Sequence, residues 1–237
     1  MPTLSICSIC QDEEDVIPFF LNCCKYIYQQ LGDDLHEVIV VDGGSKDKTK
    51  DILVSYLNEL PLVILERPFD TFGQQKNYAM ESAEGDFILG LDTDMTISKN
   101  FTDLFKSGHF NNGNFWDFII LFTGIDAYHY YHKWEKYPNM RMWKRGPKFV
   151  TNFHEKLEGQ RHNTHACDFV YVFEHSIRGS DEALLNRGRR YQKFTKEMEA
   201  EGRGPGHPDR YISAKHCANE DIALIPPHIS SLIIEGT

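Results

Sequence analysis

The sequence has no apolar run approaching the ~18 residues that a membrane-crossing helix needs. It has no charged start followed by a long apolar stretch, so no signal peptide is expected and a cytoplasmic location is. It also lacks an excess of positive charge. A formal net charge of -10 over 237 residues is the wrong sign for a chain that grips phosphate backbones along its surface. Cys7 and Cys10 have Cys-x-x-Cys spacing, but no second such pair completes a zinc site. Cys7, Cys10, Cys23, Cys24, Cys167 and Cys217 are therefore read as buried, reduced thiols. There is no internal repeat and no low-complexity tract.

What is present is ordinary for a globular protein: 41% hydrophobic and 25% charged residues, in a length that suits one α/β domain with an extension. Leu4 to Cys10 is a nearly continuous apolar run, the signature of a strand buried on both faces. An acidic loop, Gln11-Asp12-Glu13-Glu14-Asp15, follows it. Ile17, Phe20, Leu21, Cys24, Ile27, Tyr28 and Leu31 then recur on one face of a helix, with Pro18 in its first turn. Val38 to Val41 predicts a second strand, ending in Asp42-Gly43-Gly44-Ser45. Ser45 is a candidate N-cap for a helix carrying Thr49, Ile52, Leu53, Tyr56 and Leu57. Leu62 to Leu65 reads as a strand, Gly73 to Ala83 as a helix and Phe87 to Leu91 as a strand. Such alternation predicts a mostly parallel sheet with helices on its faces, all four strand ends on one edge.

Beyond Asp94 the pattern is irregular. Phe118 to Phe122 and Phe169 to Phe173 read as strands, Tyr128 to Trp143 is rich in aromatics and histidine, and Ser180 to Ala200 reads as a basic helix. The expected division is a main domain over 1–178, with halves 1–98 and 99–178, then a helical extension over 179–237.

Open parallel sheets bind ligands beyond the carboxyl ends of their strands. Three acidic groups fall at such ends: Asp12-Glu13, Asp42, and Asp92-Thr93-Asp94. Converging carboxylates repel one another unless something compensates, and a hard divalent cation does so while taking phosphate oxygens as well. Residues two apart in an extended segment point the same way, so Asp92 and Asp94 suit a shared cation, with Gly90 permitting close approach. The same residues also make an ordinary acidic turn. Asp42 likewise reads as a ligand for a base or ribose, beside glycines that admit a flat ligand, or as a turn and helix start.

The blocks Val-Ile-Val-Val-Asp42-Gly-Gly-Ser-Lys-Asp-Lys-Thr, Gly73-Gln-Gln-Lys-Asn-Tyr-Ala and Glu84-Gly-Asp-Phe-Ile-Leu-Gly-Leu-Asp-Thr-Asp94 resemble, in order and spacing, the opening of family 2 glycosyltransferases of the GT-A fold. Met140-Arg-Met-Trp-Lys-Arg, Asn152-Phe-His-Glu-Lys-Leu and Phe173-Glu-His-Ser are similar to the branch of small lipopolysaccharide-core transferases. The family usually has two acidic residues where this chain has Asp42-Gly43. The resemblance implies a GT-A fold, a nucleotide-sugar donor, a Mn²⁺ or Mg²⁺ cofactor and inversion by direct displacement. It places Asp42, Gly43 and Glu13 at the base and ribose. Lys76 falls near the phosphates, Asp92 and Thr93 at the ribose or metal, and Asp94 on the metal, with His175 able to complete the metal site.

Glu155, beside His154, is the candidate general base; a surface glutamate is the alternative. Tyr128, Tyr130, Tyr131, Trp134 and Trp143 either stack on a sugar or pack a core. The basic helix either steers an anionic acceptor (a glycan, a lipid-linked glycan or a modified nucleobase in DNA) or is a solvated face. Two other classes share the acidic edge. A non-catalytic nucleotide-sugar-binding module would need neither Glu155 nor His175. A metal-dependent nucleotidyltransferase would carry a basic glycine-rich loop where this chain has Gln11-Asp12-Glu13-Glu14.

Overall fold

A computed structural model of the chain describes residues 1–123, 129–131, 138–150, 157–159, 164–175, 222–224 and 231–234. The opening alternation is as the apolar pattern predicts. Strand β1 (Leu4–Cys10) leads into helix α1 (Ile17–Leu31), β2 (Leu35–Asp42), α2 (Thr49–Ser55), β3 (Leu62–Glu66), α3 (Phe72–Glu81) and β4 (Phe87–Gly90). β5 (Met95–Ile97), α4 (Asn100–Lys106), β6 (Phe115–Thr123), β7 (His129–Tyr131), β8 (Pro138–Lys144), β9 (Thr164–His175) and β10 (Ile222–Leu224) follow. The expected helix over Ser180 to Ala200 lies outside the described residues, as does almost all of the C-terminal extension.

Eight strands form one sheet in the order β3-β2-β1-β4-β8-β6-β9-β5, and β7 pairs with β10 in a second, two-stranded sheet. β3, β2, β1 and β4 are mutually parallel. β8 is antiparallel to both β4 and β6, and β5 is antiparallel to β9, whereas β6 and β9 run parallel. The expected mostly parallel sheet is therefore a mixed one. Its parallel half is the half with legible strand-helix alternation; the antiparallel pairings join strands far apart in sequence, where no local pattern announces a partner.

Side-chain alternation along β1 and β2 divides the core in two. Leu4, Ile6, Val38 and Val40 pack with Phe20, Leu21 and Ile27 of α1, Leu53 of α2 and Phe101 of α4. Cys7, Ile39 and Val41 face the opposite way, toward Ala79 and Met80 of α3. Each large aliphatic chain so buried contributes roughly 1.5–3 kcal/mol. Both faces of the parallel half are covered, which is why its strands read as unbroken apolar runs. Cys7, Cys10, Cys23, Cys24 and Cys167 are buried and form no disulfide among the described residues, in keeping with reduced thiols, and Cys217 lies outside them.

β4 and β5 are adjacent in sequence but four places apart in the sheet. Four strand spacings across a flat sheet are about 19 Å. The five residue steps from Gly90 to Met95 span at most about 18 Å when fully extended. They are not fully extended, because the Met95 N–H donates to the Asp92 carbonyl at 2.8 Å. The sheet must therefore curl so that the turn at Asp92-Thr93-Asp94 closes the gap between its centre and its far edge. That turn is thus a structural seam of the fold.

Candidate active site

The parallel register fixes where the acidic groups lie. Cys10 pairs with Asp42 at the ends of β1 and β2, and Cys7 pairs with Gly90 at the end of β4. Asp42 and the Asp92–Asp94 turn therefore flank β1 on the carboxyl edge of the sheet. Thr93, buried, has its hydroxyl 3.5 Å from the Ile9 carbonyl, which ties the turn to β1.

Asp42 is fully buried. Its carboxylate accepts hydrogen bonds from the Gly44 N–H at 3.1 Å, the Ser45 N–H at 3.1 Å and the Ser45 hydroxyl. Lys50 lies 3.5 Å away and also reaches Glu66 at 3.1 Å. Ser45 is thereby engaged by Asp42 rather than capping a helix, and α2 begins at Thr49 with no side-chain cap. Gly43 is packed rather than open: a Cβ there would sit 3.2 Å from the Cys10 carbonyl oxygen and 3.2 Å from Phe69. Gly44, at φ 95°, needs glycine's freedom to turn the loop. The turn-forming reading of Asp42-Gly43-Gly44-Ser45 is the one the structure displays.

The neighbouring acidic loop is laced to it. The Asp12 N–H donates to the Ser45 hydroxyl at 3.0 Å, and the Lys46 N–H returns to the Asp12 carboxylate at 2.8 Å. The Glu13 N–H donates to the Thr49 hydroxyl at 2.8 Å, and the Glu14 N–H to Asp47 at 3.0 Å. Asp12 has φ 57°, an uncommon conformation for a residue with a Cβ. Backbone amides thus compensate much of the carboxylate charge that sequence reasoning assigned to a cation.

Asp92 is compensated by side chains instead. Its Oδ1 is 3.1 Å from Lys76 Nζ and its Oδ2 3.1 Å from Arg141 Nη1. Burial opposes ionisation of Asp92, but the charges and hydrogen bonds of Lys76 and Arg141 outweigh it and hold the carboxyl well below the usual carboxylate range. Lys76 comes from α3 and also lies over the Phe149 ring at 6.0 Å. Asn77, next to it, donates to the Phe149 carbonyl at 2.9 Å and accepts from the Phe149 N–H at 2.8 Å. Gly90 permits a close approach, and what approaches is Trp143: a Cβ at Gly90 would lie 2.6 Å from the indole. That assigns Trp143 to packing among the aromatic candidates. Tyr128 and Trp134 lie outside the described residues, and Tyr130 and Tyr131 lie on β7.

Asp94 is buried, and its carbonyl accepts the His175 N–H at 2.8 Å across the β5–β9 pair. The His175 ring stacks on Phe19, centroids 5.0 Å apart, with Nε2 3.3 Å from the Thr96 hydroxyl. Burial lowers its pKa to about 4, so the imidazole is neutral at pH 7. Among the described residues no three His, Cys, Asp or Glu side chains form a closed metal cage. Mg²⁺ in phosphate chemistry needs only one or two carboxylates beside substrate oxygens, and Asp94 and His175 carry donor atoms of the kind that mode uses, while both Asp92 oxygens are engaged by Lys76 and Arg141. Mn²⁺ accepts the imidazole more readily. Glu155 lies outside the described residues.

Sequence reasoning did not single out Arg141 or Lys50. The signal for Arg141 was available: a lone cation between Met140, Met142 and Trp143 in an apolar strand demands a buried acidic partner. Among the described residues no helix is long and apolar enough to cross a membrane.

A family model described as "Glycosyl transferase family 2" matches residues 5–170. The chain is 32% identical over 124 residues to the uncharacterized glycosyltransferase YfnE of Bacillus subtilis, covering 48% of this chain and 29% of that protein. It is 42% identical over 65 residues to the poly(ribitol-phosphate) beta-N-acetylglucosaminyltransferase TarS of Staphylococcus aureus, covering 27% of this chain and 11% of that one. The chain therefore spans less than a third of either relative. Residues 1–349 of TarS in complex with UDP-GlcNAc superimpose with TM-score 0.56 at 18% identity, over 75% of this chain and 60% of that one. Mannosyltransferase PcManGT from Pyrobaculum calidifontis, in complex with GDP-Man and Mn²⁺, does so with TM-score 0.56 at 16% identity, over 91% and 69%. At these identities the likeness is one of fold.

Proposed function

The chain belongs to glycosyl transferase family 2, and from that premise we propose that it moves a sugar from a nucleoside diphosphate, UDP being the expected carrier, to an acceptor hydroxyl with inversion. The observation that carries this reading is the Asp92–Asp94 turn, held on the carboxyl edge beside β1 with two cations on Asp92. The UDP-GlcNAc complex of TarS and the GDP-Man and Mn²⁺ complex of PcManGT support a nucleotide-sugar donor.

The residue roles follow from chemistry and position. The Asp12–Glu14 and Asp42–Ser45 loops, with Gly43 between them, form the side where base and ribose bind. Asp92 faces the ribose from the turn that Thr93 anchors to β1, and Lys76 offsets phosphate charge. A divalent cation held by Asp94, with His175 and beside the clamped Asp92, would neutralise charge developing on the leaving diphosphate. Glu155 takes the acceptor's proton as general base, an effect typically worth ~10²–10⁴-fold. The acceptor is a glycan, a lipid-linked glycan or a modified nucleobase.

The test is a donor screen measuring released nucleoside diphosphate, with Mn²⁺, Mg²⁺ or EDTA. Metal-dependent release that Asp94→Ala abolishes, while the variant stays folded, is the expected result. Full activity in Asp94→Ala overturns the metal assignment, and nucleotide binding without release from any donor overturns catalysis.

A further inference from the structure

Two cationic side chains from separate segments meet at the Asp92 carboxylate. Asp92 follows β4, Lys76 projects from α3, and Arg141 comes from β8, whose Met142 pairs with Leu89 beside the turn. Each Asp92 oxygen faces one cation, at 3.1 Å in both cases. The carboxylate is thereby fixed in rotation as well as in charge.

Stability alone accounts poorly for this arrangement. Arg141 is 9% exposed, and taking its guanidinium out of water carries a desolvation cost that a pair with the partly exposed Asp92 offsets only in part. Its Nε–H is buried without a hydrogen-bond acceptor, a feature that works against stability.

We infer that Arg141 is a positioning residue of the transfer site: with Lys76 it clamps Asp92 and orients that carboxylate for the nucleotide. This rests on the donor reading above. Arg141 acts through Asp92, so its removal and that of Asp92 disturb the same interaction and do not add.

The experiment is a double-mutant cycle on UDP binding by calorimetry with Mn²⁺, using wild type, Arg141→Ala, Asp92→Asn and the double variant, each checked for an intact urea-unfolding transition. Arg141→Ala is expected to weaken UDP binding about tenfold. In the Asp92→Asn background the same change is expected to cost less than about twofold. Arg141→Lys, which keeps the charge but not the planar fork, should recover most of the loss. Additive losses, or wild-type affinity in Arg141→Ala, overturn the inference while leaving the donor reading intact. Wild-type protein that takes no nucleotide overturns the donor reading, and this inference with it. If Arg141→Ala does not fold, the cycle is read with Arg141→Gln, which keeps more of the side-chain volume.

Discussion

The backbone N–H of His175 donates to the carbonyl of Asp94 at 2.8 Å, so residues 81 positions apart in the chain are locked side by side by the ladder between β5 and β9. The pairing seals the His175 ring against Phe19, and burial depresses its pKa to about 4. The unfolded chain binds a proton near the ordinary value of 6.5, whereas the folded chain does not until about 4. The stabilising contribution of neutral His175 is therefore present above about pH 6.5 and is lost as pH falls toward 4. The loss should approach about 3 kcal/mol. Urea unfolding of metal-free protein between pH 7 and 4 should show it, and His175→Gln should flatten that part of the profile. An unchanged slope in the variant would assign the pH dependence elsewhere.

Asp42 supports the loop it stands in. Asp42→Ala removes an acceptor for two backbone N–H groups and the Ser45 hydroxyl, and leaves Lys50 with Glu66 alone. A loss of about 2–3 kcal/mol in unfolding free energy is expected, with about half that for Asp42→Asn, which keeps one oxygen. Equal losses in the two variants would contradict the hydrogen-bond account.

Gly90→Ala should destabilise by about 1–3 kcal/mol, because the new methyl group meets the Trp143 indole and the strand has little room to yield. The clash is specific, so Trp143→Phe, which removes the outer ring, should absorb most of the penalty in the double variant. Thermal unfolding of the four proteins measures this coupling.

The buried thiols should be inert. Burial raises the Cys23 thiol to about 12 and moves Cys7, Cys10 and Cys24 in the same direction, so none carries appreciable thiolate at neutral pH. A thiol reagent at pH 7.5 should modify these four only after urea is added, as peptide mapping by mass spectrometry would reveal.

The limits of legibility follow from the range of the forces. α1 could be read to the residue because its apolar stripe and Pro18 are local signals. β5 could not, since three residues carry no periodicity and its place is set by β9. Asp42, Asp92 and Asp94 were recognisable by their position after strands. Their partners were not: Ser45 was taken for a helix cap, and the role of Arg141 depends on β8 lying antiparallel to β4.

By itself, the sequence determined the strand and helix alternation of the first ninety residues, the apolar faces that cover the parallel sheet, and the family. Those are properties of short-range periodicity and of ordered blocks along one chain. The curl of the sheet at Asp92–Asp94, the clamp of Lys76 and Arg141 on one carboxylate, and the seating of His175 beside Asp94 were decided only by tertiary structure. Each is a contact between segments whose approach is fixed by strand pairing across the whole sheet, and strand pairing leaves no periodic trace in either segment alone.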